Sequence, residues 1–353
     1  MSRARRWVTA GLLATALAVV GPLSCQQLPP PPLFSADVES QTGLRRPSWP
    51  RAPAEKRVAY LGQLSTDLQL EAGRSFLRRV WDWMMDRGPD RFVRPLALAV
   101  HGERLAVADP GQAGVHLIDF AARSWITIKE SSEGALASPI GVALLPDGRL
   151  LVSDSVQNAV WAFDARGRPA GRFTDEPLQR PTGLALDASA ERLWLAETLA
   201  HRVRAFDLSG HEVARVGERG TERGQFNYPI RLSSDGRGGL WVTDSLNFRI
   251  QHLAPSGEVD RLFGMAGTRE GAFARPGGLT VDAAGRVFVV DLLFDTVQIF
   301  DPQGQLLLSV GGRGIRPGQF SLPSDVVLQA GRLYVADSYN QRVQVFEYVP
   351  PAE

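Results

Sequence analysis

The stretch GRLYVADSYNQRVQVFE at residues 331–347 is one of six related segments in this chain of 353 residues. Apolar and variable residues alternate before Asp337, and a second alternation opens at Val343. Period-two alternation predicts two β-strands joined by a turn at the acidic residue. The other copies lie at residues 103–119, 148–164, 191–207, 238–254 and 285–301.

The acidic residue recurs at nearly constant spacing, with successive separations of 45, 43, 47, 47 and 46 residues. Each copy also has an upstream proline that opens a short apolar strand, and all but the last have a downstream fourth strand. Four strands per repeat and six repeats predict an all-β fold, a six-bladed β-propeller with blades beginning near residues 95, 139, 181, 229, 276 and 323. The recurring acids are Asp109, Asp154, Glu197, Asp244, Asp291 and Asp337.

The last copy supplies only three strands, and an unpaired sheet edge is avoided in native proteins. The segment VAYLG at 58–62 is similar to the fourth-strand segment VARVG at 213–217. We therefore expect Val58–Leu61 to complete the last blade, within a propeller domain that covers 58–350. A short helical insertion is expected at about 74–87, packed against the propeller or lying on a membrane surface.

The N-terminus has the pattern of an export signal: three arginines, an apolar run and small residues before Cys25, the only cysteine. Leu23-Ser24-Cys25 resembles the lipobox of bacterial lipoproteins, which implies a signal peptide at 1–24 and lipidation of Cys25. Residues 25–57 are rich in proline and polar residues, which predicts an extended tether. Gln26 after the cysteine implies, by the same resemblance, an anchor in the outer membrane facing the periplasm.

The charge balance excludes an electrostatic nucleic-acid binder. Without the three arginines of the signal, 36 of the 39 basic residues face 38 acidic ones, a net charge of about −2. No nucleic-acid partner is therefore expected.

Three glycine-rich runs share the pattern G-x-x-G-x-x-x-G-x-F-x-x-P, starting at Gly217, Gly264 and Gly311. A phosphate-binding loop lies between a strand and a helix and normally occurs once, whereas these runs join one blade to the next. The glycines are expected to allow a sharp turn. Phe226, Phe273 and Phe320 are expected to fill the space between neighbouring blades, as are Phe92, Leu136 and Leu178 at the other junctions.

The segments DSLNFRI (244–250) and DSYNQRV (337–343), together with the G-x-F-x-x-P loops, resemble NHL repeats. The resemblance covers about 95–348. It implies a propeller that binds proteins, RNA or other ligands, with a few enzymes among six-bladed relatives.

The turn acids are interpreted as structural, because chemistry singles out one or two residues while repeat geometry uses all copies. No catalytic residue, metal ligand or cofactor is assigned, since the five histidines fall at unlike positions and no Gly-x-Ser-x-Gly motif occurs. The predicted function is a non-catalytic binding or scaffold module of the cell envelope for a protein, peptide or glycan. The alternative is a metal-assisted hydrolase or lyase with its site at the channel mouth.

Deviations from the repeat point to a binding face. Two residues after the blade proline, four copies have glycine or alanine while two have Arg231 and Asp325. These two are expected near the channel mouth, where they either pair with each other or with solvent, or contact a ligand. The turns after the acids lie on the same face and carry Gln157, Phe248, Phe294 and Tyr339, a candidate recognition surface on a monomer.

Overall fold

The structure is a computed structural model that describes residues 47–50, 57–70 and 90–350, all within one unit, Leu33–Glu353. The predicted signal peptide, Cys25, most of the tether and the predicted helix at 74–87 lie outside the described residues. Among the residues described, no helix is long and apolar enough to cross a membrane.

The repeats form six antiparallel sheets, and the predicted all-β six-bladed propeller is confirmed. Strands A to D of each blade are arranged in this order from the channel outward. Side chains alternate between the two faces of a strand, so apolar residues on both faces pack each sheet against its two neighbours. Blades 1 to 3 comprise Ala97–His101, Arg104–Asp109, Gly114–Asp119, Ser124–Ile128; Pro139–Leu144, Leu150–Asp154, Ala159–Phe163, Pro169–Arg172; and Pro181–Asp187, Arg192–Glu197, Arg202–Asp207, Glu212–Val216.

Blades 4 and 5 repeat this order, and short elements fill the connections. Single-turn 3₁₀ helices lie at Asp67–Leu70, Pro110–Gln112, Ser245–Asn247 and Ser338–Asn340, and a small hairpin pairs Glu130–Ser131 with Gly134–Ala135. The strands are Pro229–Ser234, Leu240–Asp244, Arg249–Leu253, Val259–Phe263; and Pro276–Val281, Val287–Asp291, Thr296–Phe300, Leu306–Gly311.

Blade 6 is closed by the N-terminal segment, as the sequence predicts. Its strands A to C are Pro323–Gln329, Arg332–Asp337 and Arg342–Tyr348, and strand D is Val58–Leu64, with Val58 opposite Tyr348. A further two-residue strand, Ser48–Trp49, pairs outside it. Closure satisfies the backbone donors and acceptors that the edge of strand C would otherwise expose.

The glycine-rich runs turn the chain between blades, as expected. Gly217 has φ 101°, and a Cβ at this position would lie 2.4 Å from Cδ2 of Phe226. Phe226 is fully buried in a cluster that joins Trp194 of blade 3 to Leu240 of blade 4. Phe273 and Phe320 occupy the next two junctions in the same way, so the expected packing of the three phenylalanines is confirmed.

Candidate functional site

Each turn acid is buried and accepts a hydrogen bond from the backbone of the loop that enters its blade, and Asp109, Asp154 and Asp291 also accept from the turn that follows the acid. Asp154 Oδ2 accepts hydrogen bonds from the N–H groups of Ala137 and Ser138, which precede the blade proline. Its Oδ1 accepts from Val156 and Gln157 in the following turn. The carboxylate thereby fixes the loop entering a blade to the turn between its strands B and C.

In blades 4 and 6 the acid also anchors the arginine of the repeat. Asp337 Oδ2 lies 2.7 Å from Nε of Arg342, and Asp244 Oδ2 lies 2.7 Å from Nε of Arg249. The Arg342 guanidinium donates as well to the carbonyls of Ile315, Arg316 and Gln319 in the glycine-rich run. One ion pair thus holds the turn and the blade junction together.

The same network positions the residue before the blade proline. Asp109 Oδ1 accepts from the N–H of Arg94 at 2.8 Å, and Asp291 Oδ2 accepts from that of Arg275 at 3.1 Å. In blade 3 the acceptor for the N–H of Arg180 is Oδ1 of Asn158, at 2.7 Å. The backbone of these positions is fixed while their side chains stay exposed.

Arg231 and Asp325 lie inside the channel, 92–94% buried. The Arg231 guanidinium crosses from blade 4 to donate to the carbonyls of Ile140 in blade 2, at 3.1 Å, and Leu96 in blade 1, at 3.0 Å. Its Nε lies 3.9 Å from Oδ1 of Asp325 and makes no hydrogen bond. The two charged residues therefore face each other, one of the two arrangements the sequence left open.

Small residues at the equivalent positions let the inner strands approach. A Cβ on Gly278 would lie 2.4 Å from Cα of Asp325. Asp325 lines only the narrow part of the channel, of about 40 Å³, whereas Arg231 also borders the wider mouth. Burial raises the pKa of the Asp325 carboxyl, and the Arg231 charge and the N–H groups of Leu98 and Val326 oppose this effect.

The mouth cavity lies on the face that carries the blade prolines, which we call the proline face. Its volume is about 560 Å³. Its polar walls combine guanidinium and hydroxyl groups, and none of its described lining residues is acidic or a histidine. The lining is Arg94, Leu96, Ser138, Ile140, Ser155, Arg180, Thr182, Thr198, Tyr228, Ile230, Arg231, Ser245, Leu246, Phe248, Ala274, Arg275, Gly277, Leu292 and Ser324.

The structure brings only part of the predicted binding face into this cavity. Phe248 and Arg231 line it. Phe294 and Tyr339 lie on turns of the proline face outside the lining, and Tyr339 is 58% exposed. Gln157 uses its amide within the protein, donating to the Ala135 carbonyl and accepting from Nε1 of Trp161.

Comparison with known families supports the resemblance carried by DSYNQRV. The NHL repeat family matches residues 320–346, which contain the run from Phe320 into strand C of blade 6. The chain is a six-bladed propeller with an NHL repeat in its last blade. No curated protein matches its sequence.

Solved structures similar to this propeller share its fold at low sequence identity. An auxiliary nutrient binding protein from Bacteroides thetaiotaomicron has a TM-score of 0.59 and 12% identity, covering 73% of this chain and 69% of that one. A protein of unknown function from the same organism has a TM-score of 0.56 and 18% identity, covering 72% of this chain and 70% of that one. A catalytically inactive virginiamycin B lyase from Staphylococcus aureus with quinupristin has a TM-score of 0.53 and 13% identity, covering 72% of this chain and 95% of that one.

Of two sets of side chains in this propeller, the first was missed from the sequence, and so was every member of the second set except Tyr339. The first is the arginine before the proline in alternate blades, Arg94, Arg180 and Arg275, which we call the rim arginines. The second is the apolar residue two positions after the turn acid, between 49% and 67% exposed in five blades: Val156, Leu199, Leu246, Leu293 and Tyr339, the apolar ring. Aligning the six copies at these two positions would have found both.

His201 lies behind the cavity wall, where its Nδ1 accepts a hydrogen bond from the N–H of the lining residue Tyr228 at 3.3 Å, whereas His116 and His252 belong to other networks. His116 is fully buried beside Asp109 and accepts or shares hydrogen bonds with Trp125 and Thr127. His252 bridges Asp235 and Asp260. Over the described parts of the chain, no group of three or more His, Cys, Asp or Glu side chains could hold a metal ion.

Proposed function

We propose that this protein is an exported lipoprotein, anchored through Cys25 in the outer membrane, whose propeller is a non-catalytic binding module in the periplasm. It acts as a monomer, and the proline face takes a protein, peptide or glycan. The single observation that carries the proposal is the mouth cavity surrounded by the apolar ring on that face.

The size and chemistry of this face support recognition. Ligand pockets commonly measure about 300–1,000 Å³ and combine apolar walls with a few polar groups. Exposed apolar residues scattered singly need no explanation, but these five occupy the same turn in five blades, and Leu246 among them lines the cavity. The alternative, a metal-assisted hydrolase or lyase, needs carboxylate or imidazole ligands, and none of the described lining residues supplies one.

Site-specific photo-cross-linking in intact cells tests the binding face. A photoreactive residue replaces Leu199 or Leu246 of the apolar ring, or Val213 or Leu307 on outer strands, which are 57% and 52% exposed. Discrete adducts are expected from the ring positions and none from the outer strands. Equal labelling at both places, or no adduct from the ring, would refute the binding function.

The anchor is tested separately by mass spectrometry and membrane fractionation. The mature N-terminus is expected at a diacylated Cys25, and Cys25→Ser is expected to leave the protein out of the outer-membrane fraction. An unmodified Cys25 would refute the lipoprotein assignment and leave the binding face untouched.

A further inference from the structure

The rim arginines occupy equivalent positions in blades 1, 3 and 5. Each directly precedes a blade proline, each side chain is exposed, and all three line the mouth cavity. Their backbone N–H groups are held by side-chain acceptors, as described above. Three guanidinium groups therefore start from fixed points on alternate sides of one depression.

The charge of the rim arginines is not compensated within the described residues. None of the three lies within ion-pair distance of a carboxylate there, and the Arg94 guanidinium instead sits 5.6 Å from the ring centroid of Tyr339. In contrast, Arg249 and Arg342 of the repeats are held by Asp244 and Asp337. A concave site lined by one sign of charge concentrates counter-ions.

The charge on the floor of the cavity is balanced within the protein. Arg231 is 92% buried, and its Nε has no hydrogen-bond partner, although a buried donor normally has one. Asp325 balances the charge of Arg231 from below, so the uncompensated charge is that of the rim. The guanidinium of the floor is thus occupied by contacts within the protein, whereas the rim offers three positive charges to a ligand.

One wall of the cavity is apolar. Leu246, Phe248 and Leu292 come from the B–C turns of blades 4 and 5 and are partly or fully exposed. A ligand that fills the cavity therefore meets an apolar wall and guanidinium groups at once. The planar guanidinium fork matches carboxylate and phosphate oxygens in a bidentate geometry.

We propose that the mouth cavity binds a polyanionic part of the protein, peptide or glycan partner, one with two or three carboxylate or phosphate groups beside an apolar part that packs against Leu246, Phe248 and Leu292. The inference rests on the proposed function, because it names the chemistry that the proline face recognises. Carboxylate and phosphate groups share the recognition chemistry, and the test distinguishes them.

Isothermal titration calorimetry of the full-length protein in detergent tests the proposal with defined probes. Benzene-1,3,5-tricarboxylate and inorganic triphosphate represent the two anion classes, and 1,3,5-tris(hydroxymethyl)benzene is the neutral probe. At least one anion is expected to bind with one-to-one stoichiometry, and the anion that binds identifies the class. The neutral probe is expected not to bind.

Matched variants separate the rim from general charge. Each of Arg94→Gln, Arg180→Gln and Arg275→Gln is expected to weaken binding about tenfold, because each removes a charged hydrogen-bonding group. The control variants are Arg166→Gln, Arg237→Gln and Arg261→Gln, at exposed residues outside the cavity lining, and each removes one positive charge as each rim variant does. Each control variant is expected to bind like the wild type.

Three results would overturn the proposal: no anion binding at millimolar concentration, equal binding of the neutral probe, or equal losses in the rim and control variants. Thermal denaturation checks that all variants are folded. Cross-linking from Leu199 and Leu246 reports on the binding face independently, so adducts without anion binding would refute this inference and leave the proposed function standing.

Discussion

Replacing Asp337 by asparagine is the sharpest test of the interpretation that the turn acids hold the propeller together. Asp337 is fully buried. Its Oδ2 accepts from Nε of Arg342 at 2.7 Å and from the side-chain amides of Asn340 and Gln344, each at 2.9 Å. Asparagine has the same shape as aspartate but no charge. The three donors that now face Oδ2 would meet either a neutral amide oxygen, which is a weaker acceptor, or an amide N–H₂, which cannot accept.

The expected loss is large, because the substitution leaves the Arg342 charge, 7% exposed, without its partner. Breaking a buried ion pair from one side costs about 3–5 kcal/mol, a substantial part of a typical unfolding free energy of about 5–15 kcal/mol. For a domain of this size, the melting temperature is expected to fall on the order of 10 °C.

Urea denaturation followed by tryptophan fluorescence measures the loss, with Asp147→Asn as the matched control. Asp147 also lies 2.7 Å from an arginine, Arg149, but these two side chains are 52% and 36% exposed. Exposed pairs contribute at most about 1 kcal/mol, so the control is expected to change little. Equal and small losses in both variants would refute the structural role of the turn acids.

Three further outcomes are expected. Phe273→Ala leaves a cavity at a blade junction where Phe273 is fully buried. It is expected to lower the free energy of unfolding, measured by urea denaturation, by about 3–5 kcal/mol, and a loss below about 1 kcal/mol would contradict the packing. A chain beginning at Arg94 lacks the closing strand, so amides of Arg342–Tyr348 are expected to exchange faster with deuterium; unchanged protection would count against closure. Hydrogen bonds from Arg215 and Arg204 lower the pKa of Glu212 to about 2, so the stability it contributes is present above its unfolded pKa of about 4.3 and is lost as pH falls toward 2. The difference in melting temperature between wild type and Glu212→Gln is expected to shrink between pH 6 and pH 2, and a constant difference would argue against this pair.

The blades could be predicted from the sequence because the same pattern of apolar alternation around an acidic turn residue occurs six times. The sequence also predicted the closing strand at Val58, since that segment is similar to a fourth strand. The strand Ser48–Trp49 was not predictable, because two residues show no periodicity. Its position depends on the edge that the closing strand presents.

The site was harder to predict than the fold because its contacts join distant parts of the chain. The sequence placed Arg231 and Asp325 at equivalent positions of two blades. Nothing in it stated that the guanidinium reaches the carbonyls of Leu96 and Ile140, which are 135 and 91 residues away. The rim arginines were overlooked because the residue before each proline was treated as part of a junction.

The residue before each blade proline is tethered through its main chain, and this has a consequence for how such proteins diversify. The six positions hold Arg94, Ser138, Arg180, Tyr228, Arg275 and Leu322. Because a side-chain acceptor holds the backbone N–H of each of these residues, the position of the backbone does not depend on which side chain the residue carries. Single substitutions at these six positions around one opening can therefore change the ligand specificity, and propellers with the same architecture can bind different ligands.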